Sequence, residues 1–375
     1  MASAAPKFLS PENGPRLIVY HQTIHDPQGN PHSLLPLLTN NTGITHVIVA
    51  AIHLNAEPGN ITLNDHRPDD KRFDQLWGEV AWLQGSGVKV LGMLGGAAKG
   101  SFAQLSGDDH SFEAHYTPLH ALLRTHKLNG LDLDVEEETS LHTMTRLIAR
   151  LRADFGTPFI ITLAPVATAL LPDPSRHLSG FSYAALEGAL GADIAWYNTQ
   201  FYCGWGDARS TAWYDAIVRA GWAPEKIVLG VVTSPANGAG FVDAQRLRDT
   251  CARLRARYRG VGRGFGGVMG WEYFNAGEGD RVAGLESGRS VQAGWVAALG
   301  RVLRLHEQED ALLPTPEHVR QMVTTLPRPH VPWPDDAVQK LVVLGFAPHQ
   351  AVAALNATAG DLELAAGFLF DHVLP

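Results

Sequence analysis

Eight short apolar runs, most of them divided from the next by a stretch of helical spacing, constrain this chain more than anything else in it. They cover residues 16–22, 45–52, 88–94, 128–136, 158–165, 193–202, 226–232 and 265–271. Runs this rich in Val, Ile and Leu are what strands look like when both faces are buried. The intervening segments read as helices over 73–83, 115–127, 140–155, 181–190, 213–221, 242–258 and 291–306. In the first of these, Phe73, Leu76, Trp77, Val80 and Leu83 share one side, and Gly85-Ser86-Gly87 stops the helix. A strand repeatedly followed by a helix predicts a parallel (β/α)8 barrel, and 16–306 is a fitting length for one. The rival is a doubly wound open sheet. It would want a Gly-rich dinucleotide loop after the first strand, and Tyr20-His21-Gln22-Thr23 is not one.

The fourth run, Leu128-Asn129-Gly130-Leu131-Asp132-Leu133-Asp134-Val135-Glu136, carries the chemistry. Strand side chains alternate, so Gly130, Asp132, Asp134 and Glu136 share one face and Leu131, Leu133 and Val135 the other. Three carboxylates on one face repel, and each is costly to bury unpaired. Held close, like charges force one carboxyl to keep its proton at neutral pH, and that proton is what a general acid needs. Barrel enzymes place reactive groups at the C-terminal ends of their strands, where Glu136 would stand. Two other readings compete: a structural acidic cluster, or a divalent-cation site. The second is the more serious, but neighbouring strand ends offer no obvious acidic partners.

The stretch 129–136 resembles the DGxDxDxE motif of family 18 glycoside hydrolases, the chitinases and their relatives, with Asn129 in place of the first Asp. Three further strand ends resemble the same family. Gln200-Phe201-Tyr202 is similar to its sixth-strand QxYN signature, with Cys203 replacing Asn. Gly266-Gly267-Val268-Met269-Gly270-Trp271 is similar to the segment whose Trp floors the sugar site, and Leu94-Gly95-Gly96 to SxGG with Met93 replacing Ser. The resemblance implies a substrate-assisted mechanism with Glu136 as proton donor. Asp134 would orient the sugar's acetamide, and Asp132 would share a proton with Asp134. Tyr202 would hydrogen-bond the acetamido group and Trp271 would stack on the sugar. Gln200, Gly95 and Gly96 join the site through their motifs, and Tyr20, Gln22 and Asn55 are weaker candidates to line the cleft. Trp205 and Trp213 either extend the cleft or pack elsewhere. No cofactor and no metal is implied. Short loops after several strands argue against a deep tunnel.

The charge balance excludes one class of partner. A net charge of -8, with no Lys/Arg block, is not a nucleic-acid footprint. No segment is long and apolar enough to span a bilayer, and residues 1–15 hold no secretory pattern, so a cytoplasmic protein is expected. Two cysteines, Cys203 and Cys251, do not make a disulfide framework.

Beyond residue 306 the pattern changes. Residues 307–334 carry six prolines and read as a linker. Residues 335–375 read as three short helices and resemble a ubiquitin-associated domain, through Leu341 to Phe346 and the apolar positions after it. The resemblance implies contact with ubiquitin through Leu344, Gly345, Phe346, Phe368 and Leu369. The alternative is a helical trio docked on the barrel or bound to another partner.

The expected activity is retaining hydrolysis of β-1,4-linked N-acetylglucosamine in chitin or its oligosaccharides. An endo-β-N-acetylglucosaminidase acting on N-glycans is the alternative of the same chemistry. Trp271 favours the chitinase side, since similar enzymes that cut N-glycans often lack that floor. From another class come a silent chitin-binding lectin and a ubiquitin-binding adaptor. Retention of Glu136 argues against the lectin.

Overall fold

The computed structural model describes residues 14–173, 177–262, 264–280, 290–304 and 335–344, with 351, 355, 362, 363, 365 and 366. The chain divides into two compact units, residues 1–326 and 327–375.

The first unit is a closed barrel. Its strands are β1 (Arg16–His21), β2 (His46–Leu54), β4 (Lys89–Gly95), β5 (Gly130–Asp134), β6 (Ile160–Leu163), β7 (Trp196–Gln200), β8 (Ile227–Val232) and β9 (Gly267–Trp271). They pair in parallel in the order β1-β9-β8-β7-β6-β5-β4-β2, and β2 pairs back with β1. That last pair closes the sheet and removes the open alternative. A short strand β3 (Ile61–Leu63) adds antiparallel to the end of β2, with Ile52 opposite Leu63. It is three residues long and its apolar pattern is too brief to read from sequence.

Strand alternation produces two cores. Leu17, Val19, Val47, Leu131, Leu133 and Val135 face outward into the layer beneath the helices. Ile18, Tyr20, Ile48, Leu91, Met93, Trp196, Val228 and Met269 fill the interior. At the closed lower end the Arg16 guanidinium sits 4.3 Å over the Trp196 ring, and His46 meets that ring edge-on. Burial, then the Arg16 charge, lowers the pKa of His46 to about 3.

The helices cover the barrel for ordinary reasons. The helix Leu141–Phe155 starts at Ser140, whose side chain accepts from the Thr143 N–H. It buries Met144, Leu147, Ile148 and Leu151, one face at helical spacing. The helix Asp109–Thr125 starts six residues before the expected 115, because Asp108 caps it by accepting from the Ser111 N–H. None of the helices among the described residues is long and apolar enough to cross a membrane.

In the second unit, residues Asp335–Val343 are helical, and Leu341, Ala351, Leu355 and Ala365 form a buried cluster. Leu344 is half-exposed. Gly345, Phe346, Phe368 and Leu369 lie outside the described residues, as does the proline-rich segment 307–334.

Candidate active site

The acidic strand points as its alternation requires, and its carboxyls climb the barrel interior in three steps. Asp132 is the deepest and has no solvent exposure. Three donors from three other strands reach it: Tyr20 Oη at 2.6 Å, Thr162 Oγ1 at 2.5 Å and Asn198 Nδ2 at 2.9 Å. Burial raises its pKa, and those donors pull it part of the way back.

Asp134 stands one step higher and is far less well supplied. Gln200 Nε2 reaches its Oδ1 at 3.3 Å. Burial, then the charges of Glu136 and Asp132, holds its pKa well above the usual carboxylate range. Regular strand ends at Asp134, yet Val135 stays in the outer core and Glu136 faces the cleft. The same Gln200 amide reaches Glu136 Oε1 at 3.3 Å. Burial raises the Glu136 pKa, while the Gln200 hydrogen bond and the Lys99 charge oppose that rise.

Gly95 and Gly96 end β4 with φ of +96° and +95°, a region that favours glycine. The turn lets the Gly96 N–H donate to the Asp134 carbonyl at 2.9 Å. A Cβ on Gly95 would press into that carbonyl oxygen and into the Phe102 ring. The two glycines thus let β4 turn sharply across the end of the acidic strand.

A cavity of about 270 Å³ opens above these groups, lined among others by Asp134, Glu136, Gln200, Tyr202, Trp205 and Trp271. Burial, then Asp134 and Glu136, raises the Tyr202 pKa well above its usual value, so its hydroxyl keeps the proton. Trp271 packs on Tyr20 at 5.3 Å between ring centroids. Its carbonyl accepts from Asn237 Nδ2 at 2.9 Å. The next residue, Glu272, accepts from the Gln22 and Thr23 N–H groups, tying β9 to β1. A second hollow of about 410 Å³ shares Gln22, His53 and Ala98 with the first.

Of the residues singled out from the sequence, Glu136, Asp134, Tyr202, Trp271, Gln22, Gly95, Gly96 and Gln200 line the cavity. Asp132 and Tyr20 lie beneath it, and Tyr20 serves Asp132 instead of lining the cleft. Asn55 is outside it, with its amide donating to the Asn60 carbonyl in the β2–β3 turn. Trp205 lines the cavity, while Trp213 is buried in the outer core. Of the three departures from the family pattern, Met93 and Cys203 line the wall, and Asn129 is outside it, its Oδ1 accepting from the Val90 N–H at 2.8 Å. The sequence reading missed Thr162, Asn198, Asn237 and His53. Polar residues inside apolar strands were the available signal for the first two.

Among the described residues no three His, Cys, Asp or Glu side chains are grouped to hold a metal ion. The arrangement is suited to proton transfer: a half-buried acid at a cavity mouth, a buried carboxyl beside it, and a flat aromatic wall opposite.

Known proteins share the sequence pattern and the fold. The model of the family described as glycosyl hydrolases family 18 matches residues 16–243. The chain is 54% identical to the chitinase ChiC from Aspergillus fumigatus, covering 70% of this chain and 92% of that one, with a TM-score of 0.67. It is 46% identical to a fungal endo-β-N-acetylglucosaminidase of family 18, covering 77% of this chain and 98% of that one, with a TM-score of 0.70. A putative chitinase A from Streptomyces coelicolor, 17% identical with a TM-score of 0.58, shares the fold. None of the curated proteins matches the chain. A family model spanning more than half the sequence, and an enzyme of known structure 54% identical over 92% of its length, lead to one conclusion: this chain belongs to glycosyl hydrolase family 18.

Proposed function

We propose that the protein hydrolyses β-1,4-linked N-acetylglucosamine in chitin or its oligosaccharides, with retention and with help from the substrate's own acetamide. The observation that carries this is Glu136 at the cavity, its pKa raised by burial, two residues beyond the buried Asp134 and on the same face. Glu136 gives its proton to the glycosidic oxygen. The acetamido oxygen attacks the anomeric carbon, the bond to the leaving sugar breaks, and an oxazolinium ion forms. Asp134 as carboxylate accepts from the acetamide N–H and stabilises the positive charge. Asp132 takes up the proton that Asp134 gives away. Water then opens the ring as Glu136, now a carboxylate, removes its proton. Tyr202 holds the acetamido group, and Trp271 supplies the apolar floor.

The 54% identity to a chitinase and the presence of Trp271 support chitin as substrate. A second reading, cleavage of N-glycan cores, is supported by the 46% identity to an endo-β-N-acetylglucosaminidase. Chitin oligomers and a high-mannose glycopeptide offered in parallel separate the two. Release from the glycopeptide with chitin oligomers untouched overturns the first reading. Glu136→Gln should abolish turnover while sugar binding persists, and full activity in that variant removes Glu136 from the mechanism. For the second unit we propose contact with ubiquitin, which the exposed Val343 and Leu344 support. Titration of the intact chain with ubiquitin tests it, and absence of binding at millimolar ubiquitin sinks it.

A further inference from the structure

Glu137 follows the proposed acid directly, and the mechanism gives it no task. It is buried at 8% exposure, yet its carboxylate is fully engaged. Oε2 accepts from the Gly100 N–H at 3.0 Å, and Oε1 accepts from the Phe102 N–H at 2.8 Å. Those donors belong to the far end of the loop that leaves β4. The near end of the same loop is held by the Gly96 N–H on the Asp134 carbonyl at 2.9 Å. Residues 96–100 are therefore stapled at both ends to the acidic strand and its continuation. Ser101 adds a third tie, accepting from the Leu54 N–H at 3.2 Å.

Between the staples, Ala97, Ala98 and Lys99 are exposed, and the two alanines line the cleft. Lys99 is the cation whose charge reaches Glu136. The other polar or titratable groups acting on or beside Glu136 include Asp134 on β5, Tyr183, and Gln200, Tyr202 and Cys203 at the end of β7.

We propose that Glu137 is a positioning residue: it clamps the 96–100 loop to the end of the acidic strand and so fixes the distance between the Lys99 ammonium and the Glu136 carboxyl. The inference rests on Glu136 being the proton donor. Hydrogen bonds to an ionised acceptor are about twice as strong as neutral ones, so a carboxylate suits a clamp of two N–H groups. An amide in its place offers one acceptor oxygen and turns an N–H toward the second donor.

The test reads the alkaline limb of kcat/KM against pH on a chitin oligomer, which reports the acid of the free enzyme. Lys99 favours the ionised Glu136, so its removal lets Glu136 hold its proton to higher pH. Lys99→Met should move the limb to higher pH. Glu137→Gln should move it the same way and lower kcat by roughly ten- to a hundredfold, the scale of a small misplacement of a reacting group. The double variant should move the limb no further than Glu137→Gln alone. A limb unmoved in Lys99→Met, or a double variant whose shift is the sum of the single ones, overturns the proposal. If Glu137→Gln fails to fold, Glu137→Asp takes its place: the shorter carboxylate keeps the charge but cannot reach both N–H groups, and a limb and kcat unchanged in it overturn the clamp. Glu136→Gln separates the two failures. An active Glu136→Gln defeats the assignment of the acid, whereas an inactive one with an unmoved limb in the others defeats only the clamp.

Discussion

Substituting Gly95 tests whether the β4 turn sets the position of the acidic strand. The residue has φ of +96°, which costs a non-glycine about 1–3 kcal/mol. A Cβ there would stand 2.6 Å from Phe102 Cε2 and press into the Asp134 carbonyl oxygen. Neither obstacle is free to yield. The carbonyl accepts from the Gly96 N–H, and Phe102 is fully buried. Forced overpacking of this kind costs about 1–3 kcal/mol more, so Gly95→Ala should lose about 2–6 kcal/mol in all. Relief requires the end of β5 to retreat by about 1 Å, and a displacement of that size costs around a hundredfold in rate. Gly96→Ala is the control. Its φ is nearly the same at +95°, but its Cβ would meet the flexible end of Met93 at 3.0 Å and Asp134 Oδ2 at an ordinary contact distance of 3.7 Å, with no backbone in the way. It should lose about 1–3 kcal/mol and less than about tenfold in activity. The assays are urea unfolding and kcat/KM on a chitin oligomer, corrected for the folded fraction. Equal losses of activity in the two variants would refute the reasoning, because backbone strain alone would then explain both.

The other expectations follow from burial and charge. Trp271→Ala removes the aromatic wall and should raise KM for a chitin oligomer about tenfold, the equivalent of 1.4 kcal/mol; an unchanged KM would take Trp271 out of the site. His21 is fully buried with neither ring nitrogen partnered, and burial lowers its pKa from 6.5 to about 3. The unfolded chain therefore binds the extra proton first, and stability drains away as pH falls from 6.5 toward 3. His21→Gln should flatten that slope by about 1.4 kcal/mol per pH unit, and an identical slope in both proteins would show the ring to be hydrated. Asp134 has the opposite sign. Its folded pKa is raised, so the wild type loses stability as pH rises, and Asp134→Asn should be inactive, more stable, and increasingly so toward neutral pH. A stability gain that is the same at pH 4 and pH 8 would contradict the raised pKa of the buried carboxyl.

The alternation of the acidic run was enough to place Leu131, Leu133 and Val135 outside and Asp132 and Asp134 inside. The same rule, applied to Trp196-Tyr197-Asn198-Thr199-Gln200, puts Asn198 and Gln200 on the inner face with Trp196. What it does not tell is which carboxyl each amide serves, since that depends on the stagger between β5 and β7. Tyr20 and Asn55 illustrate the same gap. Both end early strands, but Tyr20 reaches down to Asp132, and Asn55 is taken up by a turn that β3 creates. Trp205 and Trp213 are eight positions apart and equally aromatic, yet only Trp205 lies on the open side of its loop. Local pattern gives a side chain's face; depth and partner come from elements distant in sequence.

The supply of donors grades the three carboxyls. Asp132 has three within 2.9 Å, Asp134 has one at 3.3 Å, and Glu136 looks into the cavity. An ion is tolerated in a barrel interior only where donors replace its water, so negative charge belongs lowest and the transferable proton above it. That gradient depends on closure. In either direction around the sheet, β1 and β5 are separated by other strands, β2 and β4 on one side and β6 to β9 on the other. The Tyr20 hydroxyl nonetheless lies 2.6 Å from Asp132, which is possible only because the sheet curves round until the two strands face each other across its interior. An open sheet of the same strands would send Tyr20 away from the acid and leave Asp132 with the two donors of its own side, Thr162 and Asn198. The barrel therefore does more than carry the site: its closure supplies the third donor that opposes the rise burial imposes on the pKa of the lowest carboxyl.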